Sequence, residues 1–106
     1  MPETTLWLYS IQPTRPEMLV TGPTPEEDRI IDLHFDYLQR LFAEGVALHV
    51  GRTLATDASA VGLAILRAES AAEARALLAA DPAVAGGVMR GQVAPYRVIF
   101  GPAAWK

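Results

Sequence analysis

Two helix-start signals, evenly placed among apolar segments, constrain this chain more than any other feature. Thr24-Pro25-Glu26-Glu27 combines a capping Thr, a proline suited to the first helical position and a Glu three residues on. Ser70 and Glu73 repeat the Ser-x-x-Glu pattern. The first signal predicts a helix from about 25 to 44, ended by Gly45. The second predicts a helix of about ten residues over AEARALLAA, ended where Asp81 is pushed out of the helical region by Pro82.

The segments between and around them read as strands. TLWLYSI (5–11) is rich in β-branched and aromatic residues. VALHVGRTL (46–54) and AVGLAILRA (60–68) flank a DAS turn. A last strand is expected over 89–100, with Pro95 placing it at a sheet edge or at a bulge. Residues 12–23 hold three prolines and a glycine and read as an ordered loop; PAVAGG reads as a turn or a single helical turn. The order strand, helix, strand, strand, helix, strand folds most simply as a ferredoxin-like sandwich. This is an α+β, four-stranded antiparallel sheet with both helices on one face. LWLY, GLAIL and RVIF are apolar on both parities, so both faces of the sheet are expected to be buried. Helices cover one face, which leaves a second copy of the chain to cover the open one, as a homodimer.

Size and charge narrow the class. At 106 residues and 51% hydrophobic, the chain is one domain, 1–106, with enough apolar surface for a core. Its net charge is −3 and its nine basic residues are dispersed, which argues against a nucleic-acid partner. There is no cysteine, which removes disulfides, thiolate metal sites and thiol nucleophiles. No stretch is apolar for the ~18 residues a membrane span needs, and Met-Pro-Glu-Thr-Thr does not read as a secretory leader. No membrane partner and a cytoplasmic location are therefore expected. Abundant alanine, with eight arginines against one lysine, is the composition of a GC-rich bacterial genome.

Two residues break the apolar pattern. On a helical wheel Ile30, Ile31, Leu33, Phe35, Tyr37, Leu38, Leu41 and Phe42 share one arc, and His34 sits at its centre. A buried imidazole needs a hydrogen-bond partner, or it costs about 1–3 kcal/mol. It is either a structural histidine or a working one. Asp81 continues the inward face of the second helix at that helix's negative end, where a carboxylate wants a donor or a cation. Asp-Pro is equally a good cap for the PAVAG turn. Antiparallel helices on one face would set Asp81 beside the front half of the first helix, near His34. The loop 12–23 and the end of the second strand, with Arg52 and Thr53, close over the same place. That assembles a candidate acid–base site: His34 moves a proton, Asp81 orients it, and Arg52 and Arg15 hold an anionic or enolate oxygen. Met18 in the loop and Tyr9 on the first strand complete the expected substrate contacts. His34, His49 and the scattered carboxylates have no metal-ligand spacing, and neither metal nor cofactor is expected. His49 is expected at the surface or in a dimer interface.

The runs GPTPEEDRIIDLHFDYLQRLFAEGVALHVGRTL, GLAILRAESAAEARALLAADPAVAGGVM and PYRV resemble the YCII-related (YciI-like) family, from Leu6 to about Phe100. The resemblance implies a ferredoxin-like fold assembled as a dimeric α+β barrel, with His34 and Asp81 as a paired active centre. It further implies cofactor-free lyase or isomerase chemistry on small cyclic or aromatic compounds, including elimination of HCl. A small-molecule enzyme is thus one reading; a non-catalytic ligand-binding or accessory homodimer with a structural His–Asp contact is the other. The proline-rich loop is longer here than in the shortest members, and Gly51-Arg52 stands where many have Gly-Pro.

Overall fold

The computed structural model describes residues 5–105. The leader-free reading of residues 1–4 and the last residue, Lys106, lie outside that range. The elements are β1 (Leu6–Pro13), α1 (Met18–Thr21), α2 (Pro25–Ala43), β2 (Ala47–Arg52), β3 (Gly62–Arg67), α3 (Ala71–Ala79), α4 (Pro82–Ala85) and β4 (Met89–Pro95), followed by one 3₁₀ turn, Ala103–Trp105. The four strands form one antiparallel sheet in the order β2-β3-β1-β4. This is the α+β, ferredoxin-like arrangement that the element order predicts. No helix among the described residues is long and apolar enough to cross a membrane.

Local chemistry accounts for the helix ends. Thr24 and Glu27 form the reciprocal capping box, with Glu27 N–H donating to Thr24 Oγ1 at 3.1 Å and Thr24 N–H to Glu27 Oε1 at 2.8 Å. At the other end of α2, Gly45 takes a left-handed φ of 78°, so that Gly45 N–H reaches Phe42 O and Val46 N–H reaches Leu41 O. The second box is only half made. Ser70 Oγ accepts from Glu73 N–H, but Glu73 Oε2 accepts from Glu69 N–H in place of Ser70.

Alternation along β1 puts Trp7, Tyr9 and Ile11 on the helix side, packed with Tyr37, Leu38 and Leu41 of α2 and Leu66 of β3. Fully burying a side chain such as Leu66 stabilises the fold by about 1.5–3 kcal/mol. The buried stripe of α2 is narrower than the helical wheel suggests. Ile30, His34, Tyr37, Leu38 and Leu41 are buried, whereas Leu33, Phe35 and Phe42 flank the stripe and are 44%, 55% and 59% exposed. A straight helix offers a flat sheet only one such strip.

The last strand is shorter than expected. It ends at Pro95, although Tyr96 N–H still donates to Leu6 O at 2.9 Å, and RVIF lies beyond it with Ile99 and Phe100 exposed. The opposite face of the sheet is also partly covered from within. Leu6 and Ile65 are buried in the single chain, and the tail brings Trp105 to 5.8 Å from His49, the register partner of Ile65.

Strand β4 lies close against its neighbours at Gly91. A Cβ there would stand 2.8 Å from Leu78 Cδ1, 2.9 Å from Ile11 Cγ2 and 3.0 Å from Ser10 O. Gly91→Ala is therefore expected to lower unfolding free energy by about 1–3 kcal/mol in a urea titration, through overpacking. Unchanged stability would show that β4 does not sit this close to α3 and β1.

Candidate active site

The junction of α3 and α4 explains how a carboxylate comes to be buried. Pro82 prevents Asp81 from continuing α3, and Asp81 takes an extended conformation (ψ 123°). Its Oδ1 then accepts from Ala83 N–H at 2.9 Å, capping α4. The same carboxylate faces α2, where both oxygens lie 2.8 Å from His34 Nδ1. Tyr9 on β1 donates its hydroxyl to Oδ2. Capping and partnering His34, which the sequence offers as alternatives, are performed by one side chain. Asp81 is 0% exposed and His34 4%.

This ring of donors sets the histidine's chemistry. With its proton on Nδ1, His34 makes a third donor to the carboxylate and leaves Nε2 as a bare lone pair. Among the described residues Nε2 has no partner, yet no buried side-chain nitrogen or oxygen there is left unpaired. Nε2 therefore opens on the space beside it. That space is a cavity of about 360 Å³ between α2, the sheet and the loop after β1, at the small end of ligand pockets. Its walls are largely apolar, from Ile11, Met18, Ile31, Leu38, Val61 and Met89. Tyr9 and Tyr37 hold their hydroxyl protons more tightly than an ordinary tyrosine, first because they are buried and then because the Asp81 charge is near. Tyr37 donates to Leu77 O at 2.6 Å.

The remaining expected contacts divide. Met18 and the ring of Tyr9 line the cavity, and so does Arg52, which is exposed and donates Nε–H to Thr53 O at 3.0 Å. Arg15 is not part of the wall. It makes a two-pronged pair with Glu27, at 2.9 and 2.5 Å, which fastens the loop before α1 to the start of α2. Sequence reasoning passed over Glu27 as more than a cap. Its spacing to Thr24 signals the cap, but nothing local signals the partner twelve residues back. Phe35, expected in the core, lines the cavity at its mouth and is half in solvent. Among the described residues no group of three or more His, Asp or Glu is placed to hold a metal ion.

The Arg15 hydrogen bond and the capping contact with Thr24 hold the Glu27 carboxyl at about 2, well below its ordinary 4.5. Because the folded value is the lower one, the stabilisation is complete above about pH 4.5 and is lost as pH falls towards 2. Melting temperatures of wild type and Glu27→Gln are expected to differ by a constant amount above about pH 5 and to converge in acid. A difference independent of pH would remove the ion pair as the cause.

A solved structure of 5-chloro-2-hydroxyhydroquinone dehydrochlorinase from Burkholderia phenoliruptrix AC1100, in complex with 2,5-dihydroxybenzoquinone, has a similar fold. The TM-score is 0.64 at 22% identity, over 87% of this chain and 93% of that one. No curated protein sequence matches the chain. The model of the YCII-related domain matches residues 7–98, so this chain belongs to the YCII-related family.

Proposed function

We propose that the protein is a small-molecule enzyme of lyase or isomerase type, working without a cofactor, in which His34 is the general acid and base. One observation carries this reading: His34 Nε2 faces an apolar cavity while Nδ1 is held by a buried carboxylate. A histidine kept only for structure has no need of an open side. In the proposed reaction Nε2 takes a proton from an acidic C–H or O–H of a ring compound. The Asp81 carboxylate stabilises the imidazolium that forms. The electron pair left behind expels a leaving group such as chloride, or the proton returns at another carbon and the double bond has moved. Apolar walls exclude water and make the carboxylate's charge count for more. Arg52, at the rim, is the cation that receives a developing anionic oxygen; Arg15 is occupied by Glu27 and serves by holding the loop closed. The dehydrochlorinase of similar fold makes chlorinated hydroxyhydroquinones the first compounds to try.

The rival, a ligand-binding or accessory module, draws on the fact that Asp81 also caps α4, so the His–Asp contact has a structural use. The two readings separate on one variant. His34→Gln, in a panel of halogenated and hydroxylated ring compounds followed by chloride release and by absorbance, is expected to fold and to lose about 10²–10⁴-fold in rate. A folded His34→Gln that retains full turnover would overturn the acid–base assignment.

The assembly proposed is a homodimer through the open face of the sheet, with exposed Ile99 and Phe100 of the tail adding apolar surface beside it. A cytoplasmic setting suits such an enzyme. Sedimentation is expected to give a dimer for wild type and a monomer for Leu8→Arg, which puts a charge on that face; a wild-type monomer would end the proposal.

A further inference from the structure

We propose that Tyr9 is a positioning residue: with the Ala83 N–H it pins the Asp81 carboxylate so that His34 keeps its proton on Nδ1 and presents a bare Nε2 to the cavity. The inference builds on the acid–base reading of His34 above and adds a third member to the pair. An aspartate side chain has two rotatable bonds, and one contact does not fix its plane. Here Ala83 N–H holds Oδ1 and the Tyr9 hydroxyl holds Oδ2, so both oxygens stay 2.8 Å from Nδ1. The hydroxyl is tied up in this task. Tyr9 is 1% exposed, and among the described residues its hydroxyl bonds Asp81 alone. Its ring forms cavity wall, but its polar atom acts on a ligand only through Asp81 and His34.

Among the described residues no other group nearby can substitute. On α2, Tyr37 spends its hydroxyl on Leu77 O. On β2, Arg52 bonds Thr53 O at the cavity rim. In the loop, Arg15 is paired with Glu27. The segments α1, α4 and the cavity-lining positions of β3 and β4 contribute Met18, Ala83, Gly62, Leu63 and Met89, none of which is ionisable. Burial and the neighbouring carboxylate hold the proton on the Tyr9 hydroxyl more tightly than in an ordinary tyrosine, so it stands as a donor to Asp81. Without it, Asp81 is free to turn away from Nδ1. The ring then also carries its proton on Nε2, the form that cannot act as base.

The test is ¹⁵N NMR of the histidine rings, which reads the tautomer directly and needs no ligand. His49→Gln serves as background, leaving His34 as the sole histidine. The wild-type site is expected to show neutral His34 with its proton on Nδ1. Tyr9→Phe, which retains the ring packing, is expected to show a mixture with the Nε2–H form. A folded Tyr9→Phe that keeps the pure Nδ1–H form, with only a lower melting temperature, overturns the proposal and leaves the acid–base reading intact. A wild type carrying the proton on Nε2 overturns both. If Tyr9→Phe does not fold, 3-fluorotyrosine placed at position 9 alone keeps the hydroxyl and makes it a stronger donor. It should draw the carboxylate from His34 and move the low-field Nδ1–H resonance upfield; an unmoved resonance would overturn the proposal.

Discussion

A single buried carboxylate ties the helical layer to the sheet. Asp81 receives a backbone N–H from its own turn, an imidazole from α2 and a phenol from β1. Each of those donors would be costly if buried alone, and the carboxylate would be costlier still. Together they are satisfied, and the arrangement is permitted only because Pro82 forces the chain to turn there. The positions of α3, α4 and α2 against β1 are thus constrained by one set of hydrogen bonds as well as by the apolar core.

That constraint leaves His34 in the wall of a largely apolar cavity, with Arg52 as the cationic group at its rim. The loop that closes the cavity is held by a different device: the Arg15–Glu27 pair and the Thr24 capping box share one carboxylate. Core chemistry and loop closure are therefore separable, with Asp81 serving the first and Glu27 the second.

Much of this was legible in the chain itself. The capping boxes, Gly45 and Asp81-Pro82 are local signals with local causes, and they set the element order and hence the sheet. His34 and Asp81 stood out because polar residues in an apolar stripe demand a partner. What escaped was non-local or depended on competition between neighbours. RVIF has the composition of a strand, but it lies past Leu6, the first residue of β1, whose carbonyl already accepts from Tyr96 N–H. Phe35 and Phe42 have the composition of core, but the helix presents only a narrow strip to the sheet. The Tyr9 hydroxyl meets a residue 72 positions away, and no pattern within β1 announces it. Arg15 carries the charge expected of an anion contact, yet a carboxylate twelve residues on has the stronger claim.

The separations within the site have a consequence for how the molecule comes into being. Tyr9 and His34 precede Asp81 by 72 and 47 residues, so a growing chain emerges with two members of the site long before the third exists. Until residue 81 has been made, neither the phenol nor the imidazole has its acceptor, and packing α2 onto β1 would strand both. The early half of the protein is thereby discouraged from settling prematurely into a dry core. The site can close once residue 81 is in place, and the sheet only after it, when β4 (Met89–Pro95) joins β1.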